Sequence, residues 1–150
     1  MPYRLQFKGD PEAYTPDADL LFAETAKWKR AKILEKVTGL VGILYDNRIV
    51  SPLDLSLHPL QSDPPKEMLF TAVRTDGQLS LKAHNGNYLE LRHDRSVAIE
   101  TAAMGPTSQL TLLVEGGLFT IKSGRSCLAV NENKLVSDNT GAQFVIIVQK

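Results

Sequence analysis

The chain has 150 residues, with 17 Lys and Arg against 17 Asp and Glu, so its formal net charge is zero. That argues against a general nucleic-acid or membrane-surface binder, which holds its polyanion through a basic excess. A hydrophobic fraction of 43% and a charged fraction of 23% are those of a globular protein, and the length suits one domain with one sizeable core.

Cys127 is the single cysteine, which rules out an internal disulfide and fits a reducing compartment. The opening "MPYRLQFKGD" has no charged start followed by an apolar core, and no apolar run approaches the roughly 18 residues of a membrane span. The expectation is a soluble, cytoplasmic protein without membrane insertion, with secretion by an unconventional route left open.

Residues 1–38 have two readings. "YRLQF" (3–7) predicts a strand. Thr15-Pro16-Asp17 looks like a helix start, with Gly39 as its stop. The apolar residues between them hold no clean 3.6-residue period, and strands are the preferred reading. The basic run "KWKRAK" (27–32) reads as a solvated face. "GLVGILYDNRIVSPLDLSL" (39–57) predicts two or three short strands. "HPLQSDPP" (58–65) follows as a loop and "KEMLFTAV" (66–73) as a closing strand.

In "LSLKAHNGNYLEL" (79–91), Leu79, Leu81 and Ala83 alternate with polar residues, as do Leu89 and Leu91. Period-two alternation marks a half-buried strand, and the Asn85-Gly86-Asn87 between the arms marks a hairpin turn. "SVAIET" (96–101) and "QLTLLV" (109–114) complete a four-strand unit. The tail repeats it: Leu81 matches Ile121, Leu89 matches Leu128, Val97 matches Leu135, and Gln109-Leu110 matches Gln143-Phe144. Residues 39–74 form a looser copy, with Phe70 in the place of Leu110 and Phe144. Four unit-like segments can be counted in all, where a threefold fold wants three.

The residues "LSLKAHNGNYLEL", "VAIETA" and "QLTLLV" resemble the fascin-like branch of the β-trefoil superfamily. The resemblance covers 75–150 well, 39–74 loosely and 1–38 hardly. It implies an all-β domain spanning 1–150, a β-trefoil with six barrel strands and six in capping hairpins. Another closed β architecture, such as a small propeller, is the alternative. Shared burial of the repeats' apolar faces agrees with closure, which removes sheet edges. Leu81, Leu89, Leu91, Leu110, Phe119, Ile121, Leu128 and Phe144 are the expected core.

Fascins bundle actin, which implies actin binding as one alternative function. The repeated Gln-x-Trp of ricin-type trefoils is missing; the single Trp is Trp28. A trefoil protease inhibitor and an enzyme with an unrecognised site are further alternatives. His84 and His93 flank one hairpin but match no metal spacing. Cys127 reads as a buried small hydrophobe, and Ser126 beside it lacks a nucleophile-elbow context. Gly116-Gly117 reads as an inter-unit turn. No pair among Asp17, Asp19, Asp54, Asp63, Glu90, Asp94 and Glu100 is singled out as catalytic, and no cofactor motif is present. The preferred reading is a non-catalytic, lectin-like module for a glycan or a protein partner, free to oligomerise. His84, Asn85, Asn87 and Tyr88 on one turn, and Asn131 and Asn133 on another, are the ligand-binding candidates. Amides and imidazole would meet hydroxyls and the Tyr88 ring would stack on a sugar.

Overall fold

A computed structural model describes residues 27–61, 63–75 and 78–149. The "YRLQF" strand and the helix start at Thr15 fall outside these residues. The described chain is all-β: thirteen strands in one antiparallel sheet, with three short 3-10 turns and no α-helix among the described residues. β1 spans Trp28–Ala31. β2 (Gly39–Tyr45), β3 (Arg48–Ser51), β4 (Ser56–Pro59) and β5 (Phe70–Thr75) make a first four-strand unit. β6 (Gln78–Ala83), β7 (Tyr88–Leu91), β8 (Val97–Thr101) and β9 (Thr111–Glu115) make a second. β10 (Leu118–Ser123), β11 (Ser126–Asn131), β12 (Lys134–Asp138) and β13 (Val145–Gln149) make a third. Of the fourth segment counted in the sequence, the described residues contribute β1 and the 3-10 turn Leu34–Lys36. β1 lies antiparallel along β13, Trp28 opposite Gln149 and Ala31 opposite Ile146.

The units are joined edge to edge. β2 pairs with β5 and with β13, β5 with β6, and β9 with β10. As continuous ladders the sheet stays open. Single bridges, Leu79 to Leu110 and Phe119 to Phe144, tie β6 to the residue before β9 and β10 to the residue before β13.

Tight turns hold the hairpins. Asp46-Asn47 and Gly116-Gly117 each put two successive residues at positive φ, the geometry that matches the twist of a two-residue hairpin. Gly116-Gly117 does connect the second unit to the third. The segment "KEM", expected to begin a strand, is instead a 3-10 turn at Lys66–Met68, and the strand starts at Phe70.

The main core takes residues from all three units. All eight expected core residues lie in it, none more than 1% exposed. A smaller cluster gathers Trp28, Leu44, Ile49, Leu69, Val145 and Ile147. β13 serves both. Phe144, Ile146 and Val148 face the main core, while Val145 and Ile147 face the second. An unbroken apolar run, "FVIIV", is what a strand covered on both faces requires. In "KWKRAK" Trp28 and Ala31 are buried on opposite faces of β1, Trp28 in the second cluster and Ala31 in the main core, while Lys27, Lys29 and Lys32 are exposed. Cys127 is buried.

Candidate ligand-binding site

The tips of three hairpins, β3–β4, β7–β8 and β11–β12, share one local design. Asp54-Leu55-Ser56 and Asp94-Arg95-Ser96 occur 40 residues apart, and Glu132-Asn133-Lys134 holds the same place in the third unit. The middle residue has positive φ each time: 56° at Leu55, 73° at Arg95, 73° at Asn133. Leucine pays a steric penalty there, so something must hold it. The aspartates do part of this. Asp54 Oδ1 accepts from the Ser56 N–H at 3.2 Å and from Ser56 Oγ at 2.7 Å, and Asp94 Oδ1 accepts from the Ser96 N–H at 3.0 Å and from its hydroxyl. Such short side chains close a turn on their own backbone.

The middle carbonyls do the rest. Leu55 C=O accepts from the Leu135 N–H at 2.9 Å, Asn133 C=O from the Leu57 N–H at 3.0 Å, and Arg95 C=O from the Ser137 N–H at 3.1 Å. Each strained tip is thereby fastened to a neighbouring hairpin.

The first tip carries an extra group. His58 Nε2 lies 3.0 and 2.9 Å from the two oxygens of Asp54 and 3.2 Å from Ser56 Oγ. Burial pushes the Asp54 carboxyl up, but hydrogen bonds from Ser56 and His58 outweigh it and hold the group below the ordinary carboxylate range. Ser, His and Asp within hydrogen-bond reach invite comparison with a hydrolytic triad. The geometry is different. A triad places the serine on one ring nitrogen and the carboxylate on the other. Here one nitrogen faces both, and Ser56 donates its hydrogen bond directly to Asp54, so the hydroxyl is not aimed at a base that could activate it. What remains is a fixed carboxylate and imidazole at the surface, their side chains 47% and 40% exposed. Leu53 stands beside them, 72% exposed.

The second tip is a charged cluster closed on itself. Arg92 Nη2 meets Glu100 Oε1 at 2.8 Å and Glu90 Oε2 at 3.7 Å, and Thr107 Oγ1 donates to Glu90 Oε1 at 2.8 Å. A glycosidase needs its two carboxylates on either side of an open slot for the sugar. Here a guanidinium sits between them.

The residues expected to bind are spread over two places. His84 and Asn85 are exposed on the β6–β7 turn. Asn85 Oδ1 accepts from the Asn87 N–H at 2.9 Å, and Asn87 Nδ2 reaches Ile99 C=O at 3.5 Å, so both amides help build the turn. Tyr88 does not offer a stacking face: it is 8% exposed, with Lys82 Nζ 5.9 Å from its ring centre. Strict alternation from Leu89 puts Tyr88 outside, but the β7–β8 register shifts between Tyr88 and Glu90, and a bulge resets the phase. Asn131 is exposed. The Asn133 side chain is engaged twice, accepting from Arg48 Nη1 and donating to Leu57 C=O at 3.1 Å. Asp54 and His58 were not foreseen together; the signal was the Asp-x-Ser repeated at 40 residues. His84 and His93 gain no metal partners: among the described residues no three His, Cys, Asp or Glu side chains assemble.

No family profile and no curated protein sequence matches the chain. Solved structures do. A GlcNAcα1-4Gal-releasing endo-β-galactosidase from Clostridium perfringens matches with a TM-score of 0.57 at 12% identity, over 74% of this chain and 32% of that one. The lysenin pore matches with a TM-score of 0.54 at 14% identity, over 84% of this chain and 50% of that one. The chain thus spans about a third and a half of these proteins, and at such identities the likeness concerns the fold alone. No helix among the described residues is long and apolar enough to cross a membrane.

Proposed function

We propose that the chain is a non-catalytic β-trefoil module that binds a glycan at the β3–β4 tip. The trefoil reading rests on three four-strand units. Counting the two single bridges, it also rests on a ring running β2, β5, β6, β9, β10, β13 and back to β2. Phe70, Leu110 and Phe144 take the same place at the start of each closing strand and are all buried. The fascin-like resemblance enters through these same core and turn residues. The partial likeness to a protein named for releasing a saccharide is compatible with a sugar ligand.

One observation carries the binding site: Asp54, Ser56 and His58 are locked together at an exposed tip beside Leu53, 72% exposed. Asp54 Oδ2, which faces His58 alone, takes a sugar hydroxyl without losing rotamer freedom on binding, and an open aliphatic side chain covers the C–H face of the ring. Few contacts on an open surface set the affinity at roughly millimolar to micromolar.

The test is a glycan array with the folded protein, followed by titration of any glycan retained. Asp54→Asn with His58→Ala should abolish binding, while His84→Ala with Asn85→Ala should leave it unchanged. The reverse result would move the site to the β6–β7 turn. An array on which the parent retains nothing would sink the glycan reading.

A further inference from the structure

The β3–β4 tip carries a charge that its surroundings do not balance. Burial pushes the Asp54 carboxyl up, but the hydrogen bonds from Ser56 and His58 outweigh this and keep it ionised. A carboxylate only accepts, so the imidazole proton that faces it sits on His58 Nε2. A ring holding that single proton is neutral and leaves the charge of Asp54 in place. Among the described residues the ion-pair partner of Asp54 is His58, with no lysine or arginine beside it. The other charged residues around the tip cancel in pairs. Lys134 lies opposite Ser56 in the β4–β12 ladder, two residues from Glu132, and both are exposed. Arg48 on β3 is turned to Asn133 and to Asp46, the latter at 3.4 Å. Lys66 and Glu67 follow one another on the 3-10 turn beside β3.

The second tip shows what compensation looks like. Asp94 takes the place of Asp54 there, and its carboxyl is held down by the Ser96 hydrogen bonds and, further, by the charge of Arg92. Arg95 is the middle residue of that turn and His93 precedes it, where the first tip has Leu55 and Leu53. We infer that the β3–β4 tip selects uncharged glycans and rejects acidic ones, with Asp54 as the residue that sets the choice. The selection presupposes glycan binding at this tip and adds to it the class of sugar. A hydroxyl donates to Asp54 Oδ2. A carboxylate or sulfate on the same sugar brings a second negative charge and finds no cation to receive it. Like charges brought together in this way suppress a partner that otherwise fits. At about 5 Å in water-like surroundings the repulsion lowers affinity roughly fourfold, and by more where water is excluded.

The test is an array on which neutral glycans stand beside their sialylated, sulfated and uronic-acid forms. It is read with the full chain at about pH 8, above the ordinary titration of imidazole. Each retained glycan should bind at least about fourfold tighter in its neutral form than in its acidic form. The ratio of the two affinities should shrink in about 0.5 M sodium chloride, which screens exposed charges within a few ångströms. Asp54→Asn keeps an acceptor oxygen for the turn and removes the charge, so it should weaken the neutral glycan yet bring the ratio close to one. A purely structural role for Asp54 would lower both affinities together and leave the ratio alone. Asp94→Asn should keep the ratio of the parent, and circular dichroism confirms the fold of each variant. Acidic forms binding within twofold of neutral ones in the parent would overturn the selection. So would a ratio that is indifferent to salt, one that survives Asp54→Asn, or one that Asp94→Asn removes as fully. In each of these cases, loss of binding in the Asp54→Asn, His58→Ala double variant would leave the glycan site standing. A parent that retains nothing on the array overturns both.

Discussion

Replacing Phe144 with alanine tests the packing of the whole molecule at one point. The ring is fully buried, sits 5.7 Å from the Tyr45 ring centre at 53°, and belongs to the main core. Its backbone exchanges two hydrogen bonds of 2.8 Å with Phe119, and alanine keeps both. The loss is therefore confined to the side chain: the transfer energy of the benzyl group and the cavity it leaves. Buried Phe→Ala changes of this kind cost about 3–5 kcal/mol, including the aromatic contact. For a chain of this length that is a fall in Tm of roughly 6–20 °C. Urea unfolding followed by circular dichroism measures it, and the denaturant slope should not change, since the surface exposed on unfolding is nearly the same. Leu113→Ala on the surface, where Leu113 is 51% exposed, should stay within about 0.5 kcal/mol. A loss under about 1 kcal/mol for Phe144→Ala would show that the ring is not enclosed and that the closing strand has the wrong phase.

Gly141→Ala should destabilise by about 2–4 kcal/mol, because φ is +75° and a new Cβ would lie 2.7 Å from Cys127 Cβ. Gly86→Ala, at φ +90° with nothing within 4 Å, should lose only about 1 kcal/mol, and equal losses in denaturant melts would refute the role given to Cys127. Acid should weaken the fold in part through Asp54 and Asp94. Both are depressed in the folded state, Asp54 by hydrogen bonds from Ser56 and His58 that outweigh its burial, Asp94 by those from Ser96. Their stabilisation is present above the unfolded value, about 3.9, and is lost as pH falls through the lower folded values. Unfolding midpoints between neutral pH and pH 2.5 should therefore fall less steeply for Asp54→Asn than for the parent, and parallel curves would refute this.

The core was readable in the sequence because burial imposes a period that local turns cannot hide. Leu81 and Leu89 declare themselves by their neighbours, and Ile121 and Leu128 confirm them by repetition. Tyr88 was misplaced because a bulge inserts a residue without leaving a mark in hydrophobicity. Asn133 looked like a free amide, since nothing near it in sequence reveals Arg48 or the Leu57 carbonyl, 85 and 76 residues away. Asp54 and His58 sat on opposite sides of an expected strand and loop division, which obscured that they face one another four residues apart. A cleft at Trp28 combines β1, β13 and the loop before β5, three segments brought together by the pairing of β1 with β13 and by the Trp28–Asp63 hydrogen bond.

The position of β13 between β1 and β2 sets an order of events in time. On the ribosome β1 and β2 emerge early, yet the strand that lies between them comes last. Until residues 145–149 have been made, Trp28, Leu44 and Val41 have no strand to close over them. β2 must wait, its β13 side unpaired, while roughly a hundred further residues are added. Such late, long-range pairing folds slowly and leaves nascent strand edges open to other chains. Exposed Lys29 in β1, with Lys27 and Lys32 on either side of it, is suited to that interval, because charge on a bare strand edge keeps other strands from docking there before the rightful one arrives.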